Sequence, residues 1–589
     1  MSAATTRMTD VDIVANPTQQ ELRELALKHT PGLRQASTGG LNKVASRNKN
    51  RVAQWTYIMA PAGSEGEFAG NIIDPAKARE LIEHQARYIQ DAGKLIRLDR
   101  YLGVGPRATA VEWFYTIEGA NIAGMQEVLA FSREEVEGEK AASQPFDPKL
   151  KVIYTPGCEA PGMPGGQAIL VDLDTYTTYI MGPDYFGESK KGALRMLNDY
   201  LYKQGGLVMH AGAKVVTVGE KNITMAILGL SGTGKTTTTF AKHGEEVFPL
   251  QDDMVTIWPK GELSVTEAGC FAKTHGLTEE TEPAIYRGTI RNEAWVENVY
   301  MDAKGQLDFN KDALTPQEVA DLRDIFIESG CDAANVDQYI EGKVKLDELV
   351  DERGTPKDGW DFVVWSQNGR SIFPLSAIPN AADPANVPPV ESLGILNRDE
   401  GPDAAMPGLV RFSSTDQAAG YFMLGETSKT SAAGKDRGKT RSPFTQPFFP
   451  RAAGLQARRF NELVKTMPEL CMWLMNTGYV GGDDMDVKAG KALKVKIRHS
   501  SAMLEALLRD EIKWTQDPDF GYDVVDLDAP ENAALLEKVP AEILRPQVFF
   551  EKAGRMDDYR GWVDRLKQER RAYLEKHKVD QVVIDAVCS

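Results

Sequence analysis

The stretch GLSGTGKTTTTF, Gly229 to Phe240, decides how this chain is read. Residues 229–236 fit G-x-x-x-x-G-K-[ST], and the β-rich run Ile223–Leu228 leads directly into them. A strand, a glycine-rich turn and a helix in that order turn several backbone N–H groups toward one anion, and the helix N-terminus adds positive potential. Gly229, Leu230, Ser231, Gly232, Thr233, Gly234, Lys235, Thr236 and Thr237 are therefore the expected nucleotide cradle. Lys235 would run along the outer phosphates, and the Thr236 hydroxyl would ligate Mg²⁺. Asp252 and Asp253 follow the short β-rich run Glu246–Leu250, where an acid that holds the nucleotide's metal is expected.

Working outward, 589 residues with 42% hydrophobic content exceed one ordinary domain, so two large lobes are expected. The formal charge of −17 argues against nucleic acid or an anionic membrane as the main partner. Five cysteines without a CxxC pair argue against a disulfide framework or a thiolate zinc site. No apolar run reaches spanning length and the start lacks a signal-peptide core, so a cytoplasmic location is expected.

TQQELRELALKH and DPAKARELIEHQARYIQDAG read as helices, the second starting at Asp74 and Pro75. GGQAILVDLDTYTTYIMG reads as two strands. The charged section 314–359 reads as a helical insertion or lid, and the chain from Gln456 onward as mostly helical. TGYVGGDDMDVKAGK (477–491) is a second lid candidate. CMWLM reads as core, and the basic run DRLKQERR as a solvated helix face. Lys190 and Lys191 suit a solvated face equally well, and spacing alone gives His210 no role.

Together YFGESKKG (185–192), MHAGAK (209–214), LGLSGTGKTT (228–237), LQDD (250–253), GCFAKT (269–274), EPAIY (282–286), ENV (297–299), NGRSIFPLSAIPN (368–380), YFMLGETSKTSAAGKDRGKT (421–440) and MNTGYVGG (475–482) resemble the ATP-dependent phosphoenolpyruvate carboxykinase family, in its order and with its approximate spacing. The resemblance implies an α/β, two-lobed fold with a phosphate-loop mononucleotide-binding lobe. It places a partly organic-acid-binding N-terminal lobe at 1–208, with a flexible arm, and a nucleotide- and metal-binding lobe at 209–589. It implies conversion of oxaloacetate and ATP to phosphoenolpyruvate, CO₂ and ADP through an enolate that attacks the γ-phosphate. ATP, Mg²⁺ and Mn²⁺ are the implied cofactors; a small organic acid and a nucleotide are the implied partners.

Carried over by position, Lys191, His210 and Asp253 would ligate the second metal. Asp252 would order water on it, and Ser231 would sit in the transition-state network. Lys273, Glu282, Arg370 and Lys494 would contact the nucleotide. Tyr185 and Arg437 would face the organic acid, and Arg437 would also draw charge from the transferring phosphoryl group. SRNKNR (46–51) is the nearest match to the stretch holding the family's carboxylate-gripping arginine, with Arg47 or Arg51 in that role.

The chain departs from the family where Met254 and Val255 follow the paired aspartates, where KTRSPFTQPFFP follows Arg437, and where Lys494 replaces an arginine. These changes fall on the acceptor pocket and the adenine rim. Two alternatives stay open: a kinase of the same fold with another small carboxylate or hydroxyl acceptor, and a nucleotide-dependent sensor.

Overall fold

A computed structural model describes residues 11–45, 53–230, 233–241, 243–328, 330–350, 357, 359–360, 362–363, 368–428, 439–445 and 448–588. The chain forms two compact units. The first comprises Met1–Tyr200, Thr266–Pro379 and Pro447–Arg451; the second comprises Leu201–Val265, Asn380–Gln446 and Ala452–Ser589. This differs from the expected division at 208/209, because 266–379 rejoins the first unit. Strand pairing is the reason. Trp295–Glu297 lies parallel to Leu41–Lys43 and antiparallel to Arg370–Pro374, which pairs in turn with Gly269–Lys273.

The first unit also holds a mixed eight-stranded sheet. Its hairpin Ala168–Asp172/Thr177–Met181 is the expected strand pair. Helix Gln19–His29 starts with a capping box at Thr18 and Glu21. Helix Pro75–Ala92 starts where Asp74 accepts from the amides of Ala76 and Lys77, and stops at Gly93 with φ 68°. Ala78, Leu81, Ile82 and Ile89 of that helix join Leu95, Phe114, Ile153 and Leu170 in one core. Helix Ala120–Leu129 rests on Trp295 so closely that a Cβ at Gly124 would lie 2.2 Å from the indole.

The insertion is helical where it is described, at Pro316–Asp321, Arg323–Glu328, Ala333–Ile340 and Leu346–Leu349. Its Leu314, Val319, Phe326, Val336 and Tyr339 share one core with Tyr300 and Phe362.

The second unit is built on another eight-stranded sheet, in which Lys221–Gly229, Val390–Asn397 and Cys471–Asn476 run parallel side by side. CMWLM is thus core, as read, but as a central strand. From Gln456 onward the chain is mostly helical, as read, but Cys471–Asn476, Trp514–Gln516 and Asp523–Val525 all enter this sheet. Trp473 lies across Gly394 of the neighbouring strand, where a Cβ would sit 2.1 Å from the ring. Helix Ile497–Leu508 covers this face with Met503, Leu504 and Leu507.

The solvated reading of DRLKQERR holds for Asp564, Arg565, Gln568 and Glu569, which are exposed, but not for Arg570. Arg570 is fully buried and pairs with Glu426 at 2.9 Å. No helix among the described residues is long and apolar enough to cross a membrane.

Candidate active site

The phosphate loop leaves the sheet at the end of strand Lys221–Gly229 and opens helix Lys235–Phe240. Two of its glycines are required by geometry. A Cβ on Gly229 would lie 2.5 Å from Thr233 Oγ1, and Gly234 has φ 88°. Thr233 closes the turn by donating its hydroxyl to the Leu230 carbonyl at 2.8 Å. Its own carbonyl accepts from Thr477 Oγ1 at 2.9 Å, which ties the loop to the 477–491 segment. That segment forms most of a hairpin, with Tyr479–Val480 paired to Leu493–Lys494 and helix Asp484–Lys488 between them.

Strand Glu246–Gln251 runs antiparallel to Ala211–Val218, with Gln251 opposite Ala213. This register brings the residues just after Gln251 beside the one just before Ala211. Asp253 Oδ1 consequently lies 2.9 Å from His210 Nε2 and 3.0 Å from Lys235 Nζ. Lys235 also donates to the Asp253 carbonyl at 3.1 Å. Gln251 holds the turn by accepting from the amides of Asp252 at 2.7 Å and Asp253 at 3.1 Å. Sequence reasoning missed this role for Gln251, although its place directly before the paired acids was the available signal.

An imidazole nitrogen and a carboxylate oxygen suit a divalent cation. Two donors about 2.1 Å from one ion and at right angles to each other stand about 3 Å apart, as these two do. Among the described residues, no group of three His, Cys, Asp or Glu side chains could hold a metal, so this unit offers His210 and Asp253 as a pair.

Lys191 and Tyr185 belong to the first unit. The Lys191 Nζ lies 5.5 Å from the Tyr185 ring centroid. Its neighbour Lys190 is not on a solvated face: its Nζ is 2.8 Å from Glu267 Oε2, and both side chains are 2% exposed. Tyr185 is buried, and its carbonyl accepts from Tyr154 Oη at 2.9 Å. Burial raises the pKa of its phenol, opposed by Arg370 and by hydrogen bonds with Asn368 and Arg370. A Cβ on Gly187 would meet the Tyr185 ring at 2.3 Å.

The Phe186 amide donates to Glu297 Oε1 at 2.7 Å, and Glu297 is another residue missed from sequence. Burial raises its carboxyl to about 8; the Phe186 bond, Arg370 and Lys43 oppose the shift, and Asp184 adds to it.

Lys273 and Arg370 stand directly opposite each other on paired antiparallel strands. Like charges in that position repel unless an anion lies between them. Lys273 is exposed at the end of its strand, and desolvation of its ammonium, and then Arg370, lower its pKa from the ordinary lysine value. The Arg370 guanidinium lies 4.8 Å from the Phe271 ring centroid and donates to Asn368 Oδ1 at 3.0 Å. Glu282 occupies the N-cap position of helix Pro283–Thr289, without a side-chain capping hydrogen bond. Lys494, in the second unit, lies 5.5 Å from the Tyr479 ring centroid.

The structure therefore brings His210, Lys235, Asp252 and Asp253 together in the second unit. In the first it joins Tyr185 to Lys191 and Arg370, and Arg370 to Lys273. Arg47, Arg51, Ser231, Gly232 and Arg437 lie outside the described residues, as do the side chains of Thr236 and Thr237.

A family model described as phosphoenolpyruvate carboxykinase matches residues 11–330 and 351–530. The stretch it skips falls inside the helical insertion. The phosphoenolpyruvate carboxykinase (ATP) of Afipia carboxidovorans is 29% identical over 423 residues, 69% of this chain and 64% of the relative. That of Rhizobium rhizogenes is 29% identical over 66% of this chain and 62% of the relative. For these two the match spans just under two thirds of the relative's length. Phosphoenolpyruvate carboxykinase (ATP) 1 of Moorella thermoacetica is 28% identical over 91% of this chain and 89% of its own. With a match over most of its length, and with the phosphate loop, His210 and the paired aspartates in the arrangement described, the chain belongs to the phosphoenolpyruvate carboxykinase family.

Proposed function

We propose that the chain converts oxaloacetate and ATP to phosphoenolpyruvate, CO₂ and ADP, with Mg²⁺ on the nucleotide and Mn²⁺ as the second cation. The convergence of His210 and Lys235 on Asp253 at the mouth of the phosphate loop carries this reading. A sensor needs only the nucleotide cradle; a phosphotransferase also needs cation ligands beside it.

In this proposal His210 and Asp253 are cation ligands, and Lys191 is a third on the strength of the family resemblance. When bound, that cation supplies Lewis-acid stabilisation of the negative charge that decarboxylation leaves on oxygen. Lys235, released from Asp253 by the nucleotide, donates to the phosphate oxygens. The loop amides between Gly229 and Lys235 share the same charge. Lys273 and Arg370 offer the crossed-strand cation pair to a further anionic group. Tyr185 orients the organic acid, as does Arg437 by resemblance. ATP as the nucleotide and a cytoplasmic location belong to the proposal as well; the latter is supported by five free cysteines.

The test measures CO₂ release against ADP formation with oxaloacetate, ATP, Mg²⁺ and Mn²⁺. Equal amounts of the two products, lost together in Lys235→Ala, are expected. Phosphoryl transfer to another acid with no carboxyl group lost would overturn the oxaloacetate assignment and leave a kinase of the same fold.

A further inference from the structure

Lys214 is fully buried in strand Ala211–Val218. Its Nζ donates to the Thr238 carbonyl at 2.6 Å and the Ala241 carbonyl at 3.1 Å, and meets His243 Nδ1 at 2.8 Å. An ammonium has three protons and no lone pair to offer, so a neutral His243 facing it takes the Nε2–H tautomer and its Nδ1 is the third acceptor beside the two carbonyls. Thr238 lies in helix Lys235–Phe240 and Ala241 directly follows it. The cation thus sits at the carbonyl end of the helix whose other end is the phosphate loop, where the helix dipole favours it. The same helix is pressed on the same strand: a Cβ on Gly212 would lie 2.1 Å from Thr239 Oγ1. A register shift between Ala213 and Lys214, the kind of irregularity that re-aims a side chain, occurs at this point of the strand. A buried ammonium is costly unless fully paired, so packing alone does not account for a lysine here.

We propose that Lys214 is a positioning residue for the phosphate loop: with His243 as its third acceptor, its ammonium clamps the carbonyl end of helix Lys235–Phe240 and thereby fixes where Lys235 and the loop amides meet a nucleotide. The inference rests on the nucleotide reading of the loop and adds a residue that this reading does not use.

The clamp also titrates. Burial lowers the Lys214 ammonium to about 7. Burial, and then the facing Lys214, lower the His243 imidazolium to about 3, so His243 is neutral. Among the described residues, His243 is the titratable group facing Lys214. The strand residues opposite are Met225 and Pro249, and the helix presents the Thr238 and Ala241 carbonyls. Deprotonation leaves two N–H donors for three acceptors, so the clamp loosens as pH rises through neutrality.

The experiment titrates MgADP into the full-length chain by calorimetry, from about pH 6 to about pH 8.5, for wild type and Lys214→Met. At the lower pH the variant should bind about ten-fold more weakly, as expected when hydrogen bonds from a charged donor are lost. The ratio of the two dissociation constants should fall toward one at the higher pH. A purely structural role would leave that ratio constant with pH. If Lys214→Met does not fold, His243→Leu serves instead: removing the third acceptor should shift the pH midpoint of nucleotide affinity downward. A constant ratio, equal affinities, or an unmoved midpoint overturns the proposal. If wild type binds MgADP and the variants match it, this proposal alone falls. If wild type binds no MgADP, the nucleotide reading falls and this inference with it.

Discussion

His210 Nε2 lies 2.9 Å from Asp253 Oδ1, and strand register is the cause. The antiparallel pairing of Ala213 with Gln251 sets both residues at the same end of two adjacent strands, beside the loop that carries Lys235. Asp253 is the shared element, since its carboxylate serves the imidazole and the ammonium at once.

Asp253→Asn keeps the shape and removes the charge that both partners need. The Mn²⁺ concentration giving half-maximal turnover should rise about 100-fold or more, because a direct ligand should matter at least as much as its supporting partners, whose loss costs 10- to 100-fold. A metal titration of turnover checks this, with circular dichroism to show that the fold persists. An unchanged metal dependence would remove Asp253 from the ligand set.

Gly234→Ala forces an alanine to φ near 88°, at a cost of about 1–2 kcal/mol. Gly219 has φ 60° in an open turn with nothing within 4 Å of a built Cβ, so Gly219→Ala is the matched control. Both variants should lose similar stability in urea, and only Gly234→Ala should lose MgADP affinity. Equal affinities would mean that the loop does not need this backbone geometry.

The phosphate loop was legible in sequence because its requirements are local. Gly229 and Gly234 answer to contacts and dihedrals within a few residues, and the preceding β-rich run announces the strand. The helix at Pro75–Ala92 was legible for the same reason, through Asp74 and Gly93. The membership of 266–379 was not, because it depends on Trp295 pairing with Leu41 across most of a lobe. Cys471–Asn476 was hidden by its flanking helices and by an apolar run that suits a buried strand or a buried helix equally. Lys214, Glu297 and Arg570 were invisible for another reason. Sequence suggests that charged residues are solvated, and only the fold shows which ones have their partners inside.

Glu297 gives the protein a pH dependence of definite sign. Its folded pKa, about 8, is above the ordinary 4.5, so the native state keeps a proton that the unfolded chain gives up first. The stabilisation is complete below about pH 4.5 and is lost as pH rises to about 8. Glu297→Gln keeps an oxygen for the Phe186 amide and cannot ionise. The melting temperature of wild type relative to Glu297→Gln should therefore fall between about pH 5 and about pH 8. A difference that stays flat over that interval would show that Glu297 is ionised in the folded protein.

Arg570 and Glu426 make the last prediction, which turns on asymmetry. Arg570 is fully buried and donates to Glu426 Oε1 at 2.9 Å and to Tyr421 Oη at 2.9 Å. Glu426 also accepts from Arg441 Nε at 2.8 Å. Its carboxyl is held down to about 2: burial raises it, but Arg570 and Arg441 outweigh that. Removing one partner of a buried pair strands the other, typically at about 3–5 kcal/mol. Arg570→Met leaves Glu426 with Arg441, so its cost should sit at the low end. Glu426→Gln leaves the buried Arg570 without a carboxylate, while Arg441 keeps Glu569 at 3.0 Å, so its cost should be the larger. The double variant removes both members of the pair, leaves Arg441 with Glu569, and should cost less than the two single changes summed, with a coupling of about 1–3 kcal/mol. Urea unfolding of all three variants measures the cycle, and additive costs would mean that Arg570 and Glu426 are stabilised independently rather than by each other.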